Sequence, residues 1–410
     1  MSGPVKLIAP LRQAELRALF AAQLLGGLGD WAGRLAISLL VFDRSESALW
    51  AALVVAVSLL PWLGFGQVLA TFADRLGRVR LMVGSLLLRA LVMSAVAALA
   101  FRVPLVVLLV LVFVAGLCVP PFVGARSSAL VEVSDPDRYA PALALYGVLS
   151  QVEILVGYAA GGLVIAQLGP QSALGVNAAL FASAALLLGI GLRGSAASRP
   201  NESAPLGWSG VRSGVAVWRA DPVAGRALAL FVSVASLMVL PEALVVPFAA
   251  EMDVPSSLVG VVAASVAVGA VLGMVTAPTD SDHERLLGRA ATRGALLATA
   301  SAALFVVGGL AAVAWVAIAG FVVSGAVDAI SVPTNQVAGE RLPAQGRSAA
   351  MSVAGGVLYG TQVLTVSAAG VAAALWSPSG TLAVATAGAA VLCVAFRLRP
   401  VRSGASPVGE

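Results

Sequence analysis

Residues 70–80 read Ala70-Thr-Phe-Ala-Asp74-Arg75-Leu-Gly77-Arg78-Val-Arg80. Three arginines and an aspartate crowd around one glycine, and an apolar run lies on either side, at about 48–72 and 81–101. A membrane-spanning helix takes about 20 predominantly apolar residues, so the pattern is two spans joined by a tight, charged turn at a membrane surface. Gly77 permits the turn. Asp74, near a helix end, is placed to accept from a facing helix N-terminus and to pair with arginine.

The rest of the chain agrees. Of its 410 residues, 60% are apolar and 11% charged, against roughly 45–50% and about 25% in a soluble domain. So few charges cannot coat the surface of several soluble domains, which excludes a soluble enzyme, a nucleic-acid-binding domain and a disordered chain. The apolar runs are continuous rather than alternating, which excludes β-barrel strands. What remains is an all-α polytopic membrane protein embedded in a lipid bilayer. Cys118 and Cys393 both fall inside apolar runs, so no disulfide framework is expected. With His283 the lone histidine, no zinc site is expected either. The apolar run after Lys6, Arg12 and Glu15 is too long and too polar in its middle for a cleaved signal peptide and reads as the first span.

Twelve spans are predicted, at about 18–42, 48–72, 81–101, 104–124, 140–166, 172–192, 226–249, 256–277, 289–309, 312–334, 348–376 and 379–397. With the N-terminus inside, the inner segments collect nearly all of the 25 basic side chains, and the outer loops keep only Arg44 and Arg102. This asymmetry predicts a multi-pass cell-membrane protein with both termini cytoplasmic. It also accounts for the net charge of +5 without nucleic acid. Outer loops such as 169–172 and 377–380 are very short.

Residues 193–225 form the one real linker. Its first part is rich in Gly, Ser, Ala and Pro. Its second carries Trp208, Val211, Val215 and Trp218 at spacings of three and four, the pattern of an amphipathic helix at the cytoplasmic interface. The linker separates an N-terminal half, 1–192, from a C-terminal half, 226–410. The halves repeat each other in order: Ser47-Ala-Leu49 matches Ser256-Ser-Leu258, Leu76-Gly77-Arg78 matches Leu287-Gly288-Arg289, and Leu145-Tyr146-Gly147 matches Leu358-Tyr359-Gly360. Two six-helix halves in parallel repeat place a substrate path between them.

The 70–80 segment resembles the signature of the major facilitator superfamily, G-x-x-x-D-R-x-G-R-[RK], with Ala70 where that pattern has glycine. Leu28-Gly29-Asp30-Trp31, Asp135-Pro-Asp-Arg138 and Arg219-Ala-Asp221-Pro222 are similar to the macrolide-efflux and enterobactin-exporter-like branch. The resemblance implies the major facilitator fold, transport by alternating access, a cytoplasmic gate built on Asp74, Arg75, Gly77 and Arg78, and proton-linked export of amphipathic small molecules. The sequence gives no positive sign of an oligomerisation domain, so a monomer is expected. Gly157-Tyr158-Ala-Ala-Gly161-Gly162 resembles the antiporter signature G-x-x-x-G-P-x-x-G-G, with Tyr158 in place of its proline and Glu153 in place of its first glycine. An importer or a lipid carrier of the same fold, or a membrane sensor that moves nothing, are the alternatives.

Six charged residues fall inside predicted spans: Asp30, Arg34, Arg89, Glu153, Glu242 and Asp328. A charge at the bilayer centre costs from about 2.5 to more than 10 kcal/mol, depending on the measure, so each needs a cavity or a partner. Asp30 and Arg34 stand four apart on one helix face and are expected to form an ion pair. Glu153 lacks a basic partner on its own helix. Glu242 follows Pro241 at a loosened helix, Arg89 is expected to serve as counter-ion to a carboxylate of the second span or of the cavity, and Asp328 is expected to face Arg341 or Arg347. Asp30, Arg34, Glu153 and Glu242 are the proton-coupling candidates. The candidate cavity surface adds Gln23, Trp31, Gln151, Tyr158, Asn177, Tyr359 and Gln362, a few polar groups among apolar and aromatic ones, as suits an amphipathic organic ligand. Gly29 and Gly33, like Gly157 and Gly161, have the four-residue spacing that lets helices approach closely. The chain has no phosphate-binding Gly-rich Lys-Ser/Thr loop, no His-Glu-x-x-His and no Gly-x-Ser-x-Gly, so neither an ATPase nor a hydrolase is expected, and no cofactor.

Overall fold

The computed structural model describes residues 9–63, 77–192, 208–343 and 346–398. These residues form fifteen α-helices and no strand. They are α1 (Ala14–Ser45), α2 (Ala48–Leu59), α3 (Arg78–Leu99), α4 (Leu105–Leu117), α5 (Val119–Val133), α6 (Pro136–Gly191), α7 (Trp208–Ala220), α8 (Pro222–Met238), α9 (Leu240–Glu251), α10 (Ser256–Val275), α11 (His283–Ala311), α12 (Ala314–Asp328), α13 (Ser331–Arg341), α14 (Arg347–Leu375) and α15 (Pro378–Leu398).

Ten helical stretches among the described residues are long and apolar enough to cross a membrane, and the shorter apolar helix at Ala48–Trp62 is a further one. One of the ten runs 54 residues, Arg138–Gly191. At 1.5 Å per residue it would be about 80 Å long, against a bilayer core of about 30 Å. Gly169 resolves this: at φ 78° and ψ 163° it is not helical, and Pro170 restarts the helix in its first turn. The stretch is therefore two crossings, and the chain makes twelve, as two six-helix halves.

Three of the crossings are broken helices rather than single rods. The α4–α5 break falls at Cys118 before Pro120 and Pro121, the α8–α9 break at Val239 before Pro241, and the α12–α13 break at Ala329–Ile330 before Pro333. Proline fits a helix's first turn but not its interior. The fourth and tenth crossings therefore run on to Val133 and Arg341, beyond the predicted ends at 124 and 334.

Small residues set the closest helix approaches. The α1 helix lies against both legs of α6. A methyl group on Gly157 would stand 2.8 Å from the Trp31 Cβ, and one on Gly161 2.7 Å from the Ala32 Cβ. The halves meet where Gly162 of α6 faces Gly260 of α10, and where Gly370 of α14 faces Leu49 and Ala52 of α2. Both meeting points lie at the end of the bundle that carries the connections near residues 46, 101, 169, 253, 312 and 376. At that end Glu251 accepts from the Ser379 amide and hydroxyl, both at 2.7 Å.

The opposite end carries ion pairs. Arg78 pairs with Glu132, His283 with Glu340 at 2.8 Å, Arg289 with Asp280 at 3.2 Å and Arg341 with Asp221 at 2.9 Å. Asp221 also caps α8, accepting from the amides of Val223 and Ala224, both at 2.9 Å. Burial alone would raise its carboxyl, but the Arg341 guanidinium and the two amides outweigh this and hold it below its usual range. A lowered folded value means the stabilisation is present above about pH 4 and lost as pH falls through the folded value. Asp221→Ala is expected to cost about 1–2 kcal/mol at neutral pH. In thermal unfolding the gap to wild type should narrow below about pH 4; a gap that stayed constant would deny Asp221 this role.

A helix, α7, runs over Trp208–Ala220. It packs on the start of α14, with Gly214 against Ala349 and Val353, and Trp218 Nε1 donates to the Gly225 carbonyl at 3.0 Å.

Candidate functional site

A cavity of about 410 Å³ lies in the middle of the bundle. Its walls come from α1 to α6 on one side and from α8–α9 and α14 on the other. Six charged side chains line it: Asp30, Arg34, Arg89, Arg126, Glu153 and Glu242. Three acids face three arginines, so the wall is neutral when all are ionised.

Four of the six are paired. Arg89 of α3 donates to Asp30 of α1, and Arg34 of α1 donates to Glu242 of α9. The expected Asp30–Arg34 pair is not what forms. The two share a face of α1, but each finds its partner on a neighbouring helix. Arg34 also lies over the Trp31 ring at 4.7 Å, and Arg89 over the Phe181 ring at 4.1 Å. The Arg34–Glu242 pair joins the two halves. Arg89 is thus the counter-ion of a cavity carboxylate, as anticipated, with Asp30 as that carboxylate. Asp328 is half-buried at the end of α12 and lies in the field of Glu242. Arg341, its expected partner, is engaged by Asp221 instead, and Arg347 donates to the Leu342 carbonyl.

Arg126 and Glu153 are different. Among the described residues neither makes an ion pair within 4 Å. Arg126 donates to the Tyr146 hydroxyl at 2.6 Å and lies over the Tyr146 and Phe122 rings at 4.7 and 5.7 Å. Glu153 is 7% exposed, and its Oε1 is buried with no hydrogen-bond partner. Gln23 and Arg126 are the polar side chains that act on it. Gly27 makes the room: a Cβ there would overlap the Glu153 carboxylate.

Of the predicted cavity residues, Gln23, Trp31, Asn177, Tyr359 and Gln362 line the cavity, and Gln151 and Tyr158 do not. Tyr158 is buried behind the wall against Trp31, with ring centroids 5.3 Å apart. Asn177 donates to the Gly29 carbonyl and occupies the space beside Gly33, so the α1 glycines admit an amide as well as a helix. Gln362 donates to the Ala235 carbonyl at 3.1 Å.

Arg126 and Trp62 are among the lining residues that the sequence does not single out. Arg126 was assigned to an inner loop because the apolar run stops at Gly124; the i, i+4 series Phe122, Arg126, Leu130 continues the helix and marks it. Trp62 stacks on Tyr359, with centroids 4.9 Å apart and planes at 21°. Nothing in the sequence singles it out from other apolar residues.

Of the predicted gate, Asp74 and Arg75 lie outside the described residues. Gly77 has φ 74° and stands at the N-cap of α3, the tight turn expected of it. Arg78 pairs with Glu132 of α5.

The sequence profile of the Major Facilitator Superfamily matches residues 19–360. The chain is 32% identical over 269 residues to the multidrug efflux pump Tap of Mycolicibacterium fortuitum, an alignment that covers 63% of this chain and 65% of that protein, slightly under two thirds of its length. In fold it is similar to a bacterial homologue of the iron transporter ferroportin in an inward-facing state, with a TM-score of 0.72 and 14% identity over 94% of this chain and 99% of that one. It is likewise similar to a peptide transporter of the POT type, with a TM-score of 0.73 and 12% identity over 94% of both chains.

Proposed function

The chain belongs to the Major Facilitator Superfamily, and from that premise we propose that it is a secondary transporter, a proton-coupled exporter of amphipathic small molecules from the cytoplasm. The observation that carries this reading is the central cavity, with charged side chains set among apolar and aromatic ones between two six-helix halves. Such a lining suits a ligand with an apolar body and a few polar groups. The 32% identity to a multidrug efflux pump supports the direction.

The boundaries follow the sequence: 1–192 and 226–410 are the halves, and 193–225 connects them. The arginine asymmetry places the end with Arg78, Asp221 and Arg341 in the cytoplasm, with both termini on that side of the cell membrane. The halves' contacts at Gly162–Gly260, Gly370–Ala52 and Arg34–Glu242 then close the external side. The cavity faces inward, ready to load. Asp74, Arg75, Gly77 and Arg78 serve the cytoplasmic gate that closes in the other state.

Glu153 is the leading proton carrier. It is buried, and among the described residues its Oε1 has no partner and it pairs with no arginine, so gaining or losing a proton does not break an ion pair. Asp30 and Glu242 each hold an arginine, and neutralising either would do so. The test is purified protein in liposomes carrying an internal pH dye, challenged with a panel of amphipaths. Wild type is expected to show substrate-evoked proton movement, and Glu153→Gln to lose it by at least about tenfold while retaining substrate exchange. Uptake down the substrate's own gradient, with no proton movement in wild type, would overturn proton coupling.

A further inference from the structure

We infer that Arg126 and Glu153 form a charge-matched subsite for a small zwitterion, with the ligand's anionic group on Arg126 and its cationic group on Glu153. The inference rests on the transporter reading above and names the class of substrate that the cavity takes.

Four of the six cavity charges already answer one another as Asp30–Arg89 and Arg34–Glu242. The remaining pair is one cation and one anion on adjacent crossings of the same half, held apart and each in the cavity wall. Their restraint is specific. Phe122 and Tyr146 pack on the Arg126 guanidinium, and the Tyr146 hydroxyl takes one of its N–H groups. The other donors on this forked group remain available, and they suit a carboxylate or similar anion. The Glu153 carboxylate lines the cavity without an ion-pair partner among the described residues, and an ammonium group in the cavity would supply one. Across the cavity, the stacked Trp62 and Tyr359 offer a flat apolar face for the rest of the molecule.

Charge matching then gives selectivity. A zwitterion answers both Arg126 and Glu153. A monocation of the same skeleton leaves Arg126 without a counter-ion in a partly dry cavity, and a monoanion does the same to Glu153. Unpaired buried charge is costly, and it is a standard means of rejecting the wrong partner.

The test uses one skeleton in three charge states: Nε-dansyl-lysine, a zwitterion at neutral pH; its methyl ester, a monocation; and its Nα-acetyl derivative, a monoanion. Each is titrated by dansyl fluorescence into the purified full chain in lipid nanodiscs. Wild type is expected to bind the zwitterion at least about tenfold more tightly than either relative. Arg126→Gln should erase the preference over the monocation, Glu153→Gln the preference over the monoanion, and Arg126→Lys should keep part of the first. Equal or tighter binding of the ester by wild type overturns the subsite, as does failure to bind any of the three. The wild-type comparison needs no variant to fold. Flux of the dyes in liposomes is measured separately. Charge-selective binding without flux keeps the subsite and overturns the transporter reading, whereas flux without charge preference does the reverse.

Discussion

If the chain works as the proposed exporter, Glu242→Ala is expected to open the end of the bundle where the halves meet and to cut net export at least about tenfold. Glu242 and Arg34 form the one cavity ion pair that bridges the halves. The Arg34 side chain is 25% exposed and that of Glu242 18%, so the pair is worth more than an exposed surface pair, at under about 1 kcal/mol, and is less demanding than a fully buried one. A charge-assisted hydrogen bond in such a setting contributes about 1.5–3 kcal/mol. Because the contact exists only when the external ends are together, nearly all of that bears on the balance between the two carrier states. A loss of 1.4 kcal/mol moves that balance about tenfold. The glycine contacts at Gly162–Gly260 and Gly370–Ala52 remain in the variant, so closure is weakened rather than forbidden.

The readout is a spin-label distance between Arg102 and Ala311, both exposed at the end of the bundle where the halves meet and on opposite halves. The longer-distance population should rise in Glu242→Ala and in Arg34→Ala. The exchanged pair Arg34→Glu with Glu242→Arg should bring it back down. Unchanged distance distributions in all three proteins would show that the glycine contacts alone close this side.

How these charges pair was not legible in the sequence. Their presence inside spans was, because hydropathy marks a charge in an apolar run wherever it falls. Spacing along α1 correctly puts Asp30 and Arg34 on one face, yet it carries no information about which neighbouring helix comes closer. Arg89 and Glu242 lie 59 and 208 residues from their partners, and only packing brings them there. Arg126 was lost for a different reason: a hydropathy run ends where the first charge appears, while the helix itself continues because Pro120 and Pro121 stand in a first turn, where proline is tolerated. Tyr158 and Gln151 were read as cavity residues from side-chain type alone. Tyr158 turns towards Trp31, behind the wall, because Gly157 and Gly161 bring α6 tightly against α1. The internal repeat, by contrast, was informative beyond the fold. Both matched tyrosines touch residues of the cavity wall, though in different ways: Tyr146 braces Arg126 and Tyr359 stacks on Trp62.

Asp30→Ala is expected to destabilise the protein more than any other single change at the cavity. Arg89 is 5% exposed. Without Asp30 it keeps the Phe181 ring at 4.1 Å but no anion. Removing one partner of a buried pair costs about 3–5 kcal/mol, because the remaining charge is stranded, whereas replacing both partners by apolar groups is often neutral; the Asp30 side chain is 38% exposed, which puts the loss here at the lower end of that range. The double change Asp30→Ala with Arg89→Met should therefore recover most of what the single change loses. In thermal unfolding of the purified protein, the single variant is expected to fall by roughly 3–5 °C and the double variant to return close to wild type. Asp30→Asn, which keeps an oxygen acceptor, should lie between. The same double variant separates two roles for Asp30. If Asp30 carries the transported proton, the stable double variant has no proton-coupled flux. If it serves only to neutralise Arg89, as the isolation of Glu153 favours, flux persists and remains sensitive to Glu153→Gln. A double variant as unstable as the single one would mean that Asp30 is held by something other than Arg89, and the pair would no longer account for the burial of an arginine in this half of the bundle.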